Sequence, residues 1–254
     1  MRKGWFADKR RQRARRALKR QIEYQENKAQ ALRGHERDVI LRMMQSAQRV
    51  REMLSDIRPI GAEARVLEVG SGAHGLIFYF GADNAVGIDP LAVSYAKLFP
   101  VWQGRTPTVA AVGEALPFSD QSFDVVLCDN VVDHAEAPAK IVAELARVLA
   151  SGGLLYFTVN VHHPVYHFAA ELNSLWNAAG VAYEIGPFAD HTVHLTRNGA
   201  RRLFAGLPLR ILQERADIAA AKLQGKQIHA RHAGDRLKRL FFKNALYEVI
   251  AVRE

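Results

Sequence analysis

The stretch that most narrows the possible folds is residues 64–80, "ARVLEVGSGAHGLIFYF". A run of apolar and β-branched residues breaks there into three glycines, Gly70, Gly72 and Gly75, in the spacing G-x-G-x-x-G. Glycine reaches backbone conformations closed to other residues and lets a ligand approach the main chain without a Cβ in the way. A strand feeding such a turn opens sheets in which strands alternate with helices and ligands lie beyond the carboxyl ends of the strands.

The rest of the chain repeats that alternation. Strands are predicted near Arg65–Val69, Ala85–Asp89, Thr108–Val112, Phe123–Asp129 and Leu154–Asn160, with helices between most of them. The clearest helix is "APAKIVAELARVLASGG", with Pro138 in its first turn, Ile141, Leu145, Val148 and Leu149 on one face, and Gly152 and Gly153 as its stop. Beyond Asn160, "LTRNGARRLFAGL" predicts a helix with a Thr or Asn cap, "PLRILQERA" a strand, "AGDRLKRLFFKN" a helix and "ALYEVIAVR" a last strand. This pattern predicts an α/β protein with a doubly wound, mostly parallel sheet. Residues Asp8 to Asp56 contain no proline and predict one helix or two in succession. In its second half Val39, Met43, Ala47, Val50, Leu54 and Ile57 recur on one apolar face that should pack on the body.

At 254 residues and 49% hydrophobic, the chain can bury one substantial core with an appendage. The expected division is a basic helical arm with a cover helix over 1–60 and a main domain over 61–254. Cys128, the only cysteine, allows no internal disulfide and is read as a buried core side chain in a reducing compartment. No apolar run reaches the roughly 18 residues needed to span a bilayer. No secretory h-region precedes the arm, and a cytoplasmic location is expected.

Charge is concentrated at one end. Residues 1–37 carry 13 Lys or Arg against 4 Asp or Glu, whereas the remainder carries 22 of each. The arm has three readings: a solvated or protein-contact helix, an RNA-binding segment, or an anchor to anionic lipid through Trp5 and Phe6. Against RNA, the body is formally neutral and shows no aromatic-basic recognition module. Against a membrane, Ala14, Ala17, Leu18 and Ile22 make only a thin apolar face.

The glycine pattern alone fits several nucleotide-like cofactors, and Asp89, about 20 residues further on, suits ribose hydroxyls in any of them. Glu68 separates the classes. A carboxylate roughly 6 Å from one charge of a pyrophosphate costs on the order of 3 kcal/mol at an effective dielectric of 20, and a cationic ligand gains as much. S-adenosylmethionine, with its ammonium and sulfonium, is such a ligand; NAD is not, although an NAD-dependent oxidoreductase remains the alternative for a G-x-G-x-x-G loop.

"VLEVGSG", "GIDP", "GEALPFSDQSFDVVLCDNVVDH" and "ELARVLASGGLLYFTV", in that order and at these distances, resemble class I S-adenosylmethionine-dependent methyltransferases, most of all the small-molecule branch of the ubiquinone-biosynthesis type. The resemblance covers residues 62–160 well and implies a seven-stranded Rossmann-like sheet. It also implies that Glu68, Gly70 and Gly72 surround the methionine moiety, that Asp89 binds the ribose, that Glu114 and Ala115 lie at the adenine edge, and that Asn130 lines the cofactor near the methyl group. One residue departs from the pattern: His74 stands where the family has a third glycine, and its ring either touches the cofactor carboxylate or points outward.

The implied reaction is methyl transfer to a small-molecule or glycan-type hydroxyl or amine, with RNA as the alternative acceptor. Alignment and water exclusion are the main demands, and a hydroxyl acceptor also needs a base. The candidates are His134 after the fourth strand and His162 and His163 after the fifth. His162, His163, His167, His191 and His194 match no standard metal-ligand spacing, and no metal is expected. The aromatics Tyr166, Phe168, Trp176, Tyr183 and Phe188 suggest a lid-like insertion near 161–195 that supplies an apolar acceptor site.

Overall fold

Seven strands form one sheet in the order β3-β2-β1-β4-β5-β7-β6. The computed structural model describes residues 22–135, 137–168, 193–227, 240–242 and 244–254. Within them the strands are β1 (Arg65–Val69), β2 (Asn84–Ile88), β3 (Thr108–Val109), β4 (Phe123–Asp129), β5 (Leu149–Val161), β6 (Leu209–Ala216) and β7 (Ala245–Arg253). Pairing is parallel from β3 across to β5, and β7 runs antiparallel between β5 and β6. The chain leaves β1 toward β2 on one side and later places β4 on the other. That reversal opens a crevice at the carboxyl ends of β1 and β4.

Helices cover both faces because alternate residues of the buried strands are apolar on both sides. Val66, Val125, Leu127, Leu154 and Ile250 face α2 (Glu36–Ser55), which contributes Val39, Met43, Ala47, Val50 and Leu54. The opposite face, with Leu67, Val126, Cys128, Leu155 and Phe157, packs on α5 (Pro138–Val148) through Ile141, Val142, Leu145 and Val148. Cys128 is fully buried, and burial pushes its thiol up.

The helical stretch before the body is two helices over the described part, α1 (residues 22–32) and α2, separated at Gly34 with φ +82°. The arm before residue 22, with Trp5, Phe6, Ala14, Ala17 and Leu18, lies outside the described residues. Ile22, Ala29 and Leu32 of α1 pack beside α3 (Ala92–Leu98) and α4 (Pro100–Gln103), with Phe99 and Trp102 in the same cluster.

Several expectations are corrected. Gly152 and Gly153 do not end α5; the helix stops at Val148, and Leu149 already pairs with Phe123, so the glycines lie inside β5 where the register with β4 shifts. β3 is two residues long rather than five. In the C-terminal part, α6 (Arg197–Arg202) starts as expected from Thr196, whose hydroxyl accepts the Gly199 N–H. α7 (Ile218–Gln227), which the apolar pattern did not announce, follows β6. Most of the helix expected over 233–244 and the insertion residues 169–192 lie outside the described residues. Among the described residues, no helix is long and apolar enough to cross a membrane.

Candidate active site

The loop after β1 is stapled to its neighbours by its own main chain. The N–H groups of Gly70 and Ser71 both donate to the Ile88 carbonyl, at 2.8 and 2.9 Å. Gly70 holds φ +73°, and a Cβ there would fall 2.4 Å from Val131, so only glycine permits both the turn and the approach of the segment after β4. The Gly72 N–H donates to Asp89 Oδ2 at 3.1 Å, while Asp89 Oδ1 accepts the Leu91 N–H at 2.8 Å. Asp89 therefore sits at the end of β2 with both oxygens fixed, and burial raises its pKa against these two bonds.

Glu68 occupies a place its sequence position did not reveal. Its side chain is 1% exposed, and its oxygens accept the N–H groups of Leu76 (3.1 Å) and Ile77 (2.9 Å), which begin a short 3-10 turn over Leu76–Tyr79. The carboxylate thus caps the chain that leaves the glycine loop. Burial pushes it up to about 8, the two backbone bonds oppose the shift, and the charges of Asp129 and Asp89 add to it. A group in that range is only partly ionised near neutrality, so its charge discriminates between ligands less sharply than its position in the sequence implied. Gly75 is explained by the same contact: a Cβ there would lie 2.3 Å from Glu68 Oε2.

The His74 ring packs 5.0 Å from Phe99 and 5.3 Å from Trp102. Burial pushes it down to about 4, and nearby Lys28 and Arg42 push the same way. Glu114, half-buried, and Ala115, exposed, follow Gly113, which lies against Val69 at the end of β1. Asn130 follows β4 with φ +57°; its N–H donates to the Thr158 carbonyl (3.1 Å) and hydroxyl (2.9 Å), and its Oδ1 accepts from Asn160 Nδ2 at 2.6 Å. Asp89 and Asn130 thus directly follow β2 and β4 and Glu68 lies within β1 near its end, while Glu114 and Ala115 lie in the loop beyond β3.

The three histidines diverge. His134 stands on a short turn after β4 with its side chain 51% exposed, and its Nε2 is 3.8 Å from Oδ1 of Asp133, which is completely buried. Asp133 is the residue sequence reasoning passed over, although its place beside His134 was the available signal. His162 is buried with its ring 4.8 Å from His194. His163 packs on Phe241 and Phe242, and burial with nearby Lys222 lowers its pKa. Of the three, His134 alone combines an accessible ring with an adjacent carboxylate. Among the described residues no group of three His, Cys, Asp or Glu side chains is arranged to hold a metal ion; His191, Trp176, Tyr183 and Phe188 lie outside them.

A second polar layer lies under α2. Arg49 donates to Glu248 Oε2 (3.2 Å) and to the Tyr156 hydroxyl (3.1 Å), and that hydroxyl donates to the same Glu248 oxygen at 2.9 Å. Thr158, paired with Glu248 across the sheet, donates its hydroxyl to Asp129 Oδ1.

The sheet order is that of Rossmann-like methyltransferase structures, and residues 67–157 match the family model described as a methyltransferase domain. One relative, an uncharacterised methyltransferase from Mycobacterium avium, is 32% identical over 138 residues, which are 52% of this chain and 44% of that protein. The chain therefore matches under half the length of this relative. Among solved structures, a putative methyltransferase from Bacillus halodurans superposes with TM-score 0.55 at 15% identity, over 80% of this chain and 97% of that one. Geranyl diphosphate C-methyltransferase from Streptomyces coelicolor, solved with Mg2+, geranyl diphosphate and S-adenosyl-L-homocysteine, superposes with TM-score 0.56 at 13% identity, over 82% and 77% of the two chains. At such identities the structures establish the fold.

Proposed function

We propose that the chain transfers the methyl group of S-adenosylmethionine to a small-molecule hydroxyl or amine. The observation that carries the cofactor reading is where the loop spends its donors. A diphosphate in a Rossmann fold is held by free N–H groups at the start of a helix. Here the N–H groups of Gly70 and Ser71 are taken by a carbonyl, that of Gly72 by Asp89, and those of Leu76 and Ile77 by Glu68. A four-residue 3-10 turn stands in place of the long helix. At the ends of β2 and β4 the crevice offers the carboxylates Asp89 and Asp129, which suit a cation better than a dinucleotide.

S-adenosylmethionine, when bound, supplies a methyl group already activated on a sulfonium. The chain's part is to fix the ends of the cofactor and align an acceptor with the methyl. In this reading Gly70 and Gly72 approach the methionine part, Asp89 takes the ribose hydroxyls, Glu114 and Ala115 border the adenine, and Asn130, pinned by Thr158 and Asn160, lies near the methyl. His134, backed by Asp133, accepts the proton of a hydroxyl acceptor. We further propose that residues 1–60 act as arm and cover helix to a catalytic body over 61–254.

Calorimetry tests the reading. S-adenosylhomocysteine should bind and NAD should not, and Asp89→Ala should lower the affinity at least about tenfold while the fold is retained. Binding of NAD in preference would replace this proposal with the oxidoreductase. An RNA acceptor, suggested by the basic residues within 1–37, predicts RNA affinity that falls steeply with salt and disappears when that segment is removed.

A further inference from the structure

Three carboxylates stand at or near the ends of β1, β2 and β4, and they are unequally occupied. Glu68 spends both oxygens on the N–H groups of Leu76 and Ile77, and Asp89 spends its two on those of Gly72 and Leu91. Asp129 differs. Its Oδ1 accepts the Thr158 hydroxyl, while among the described residues its Oδ2 has no hydrogen-bond donor and no cation pairs with either oxygen. Glu248, which pairs with Thr158 across the sheet, is answered by Arg49 at 3.2 Å.

The open oxygen belongs to the crevice. β4 lies between β1 and β5 with helices on both faces, and Val125, Val126, Leu127 and Cys128 are fully buried, whereas Asp129 is exposed. A strand enclosed in this way reaches solvent only past its end. The register pairs Glu68 with Leu127, so two residues further on Gly70 stands level with Asp129. Val131 packs against Gly70, 2.4 Å from where a Cβ would be, and keeps the two segments close beyond their last pair.

Thr158 fixes this end of β4. It is fully buried, and the single proton of its hydroxyl goes to Asp129 while the oxygen accepts the Asn130 N–H at 2.9 Å. One side chain thus holds both Asp129 and Asn130, the latter at φ +57°.

We propose that Thr158 aims Asp129 at the sulfonium of S-adenosylmethionine, so that the site separates the methyl donor from its uncharged-sulfur product. The inference rests on the cofactor reading above, in which Gly70 approaches the methionine part and Asn130 lies near the methyl. Asp129, level with the first and joined to the second, falls beside the sulfur between them. Methyl transfer removes the sulfonium charge, and a carboxylate with no cation of its own is the group that registers the loss. Such a contact favours donor binding and product release rather than the chemical step. Asp129 is then a binding residue and Thr158 a positioning residue.

Calorimetry on the full chain with S-adenosylmethionine and S-adenosylhomocysteine tests this, because the two share the amino-acid end and the adenosine and differ by the charged methyl centre. In Asp129→Asn, which keeps the shape and removes the charge of an exposed residue, affinity for S-adenosylmethionine should fall about tenfold or more relative to that for S-adenosylhomocysteine. Thr158→Val should move the ratio the same way by a smaller factor, and Thr158→Ser, which keeps a hydroxyl, should leave it near wild type. An unchanged ratio in Asp129→Asn would overturn the proposal, as would equal weakening of both ligands, which would put the carboxylate at the ammonium they share. A Thr158→Ser protein that behaves like Thr158→Val would overturn the part given to the hydroxyl. If wild-type protein binds neither ligand, the cofactor reading fails first, an outcome distinct from failure of this assignment.

Discussion

Replacing Gly75 by alanine isolates the steric logic of the loop. Gly75 has φ −61° and ψ 157°, a conformation any residue adopts, so the substitution strains no backbone. The added Cβ would lie 2.3 Å from Glu68 Oε2 and 2.5 Å from the Ser71 carbonyl, where ordinary contact begins at 3.4 Å. Glu68 has little room to retreat: it is 1% exposed and tied to two backbone N–H groups. Relief requires giving up one or both bonds and leaving the buried N–H groups of Leu76 and Ile77 unpaired, at about 1–3 kcal/mol each, so Gly75→Ala should cost about 2–5 kcal/mol. Urea unfolding followed by circular dichroism measures the loss. If Glu68 is the obstacle, the double variant Glu68→Ala/Gly75→Ala should lose about 2 kcal/mol less than the two singles added together. A Gly75→Ala protein within about 0.5 kcal/mol of wild type, or strict additivity in the cycle, would refute the reasoning.

Three further outcomes are expected. Burial lets the Glu68 carboxyl hold its proton up to about pH 8 in the folded chain, where an ordinary glutamate loses it near 4.5; its contribution is therefore full below about 4.5 and lost as pH rises toward 8. The unfolding midpoint should fall across that window, and Glu68→Gln should flatten the fall. Arg49→Met should destabilise by about 2–3 kcal/mol in urea, because Glu248, 5% exposed, would keep Tyr156 alone as its hydrogen-bond donor from that network. Thr196→Ala, which removes the cap on the Gly199 N–H, should cost about 1 kcal/mol by the same measurement.

Read alone, the amino-acid order determined the β1 strand and its glycine turn, the alternation of strands and helices, and the apolar face of α2 from Val39 to Leu54, since each depends on neighbours within a few residues. Asp89 and Asn130 were legible for the same reason: a strand's last residues lie at the sheet's carboxyl edge wherever the strand is placed. Only the tertiary structure decided what those side chains meet. Glu68 turns toward Leu76 and Ile77 because the chain doubles back after Gly75. Arg49 reaches Glu248 across 199 positions of sequence because β7 inserts beside β5. Lys28 comes within reach of His74 because α1 lies beside α3 and α4. Local patterns report the conformation of a segment; the partner of a buried charge is set by which distant segment the packing brings against it, and burial then decides the charge that group carries.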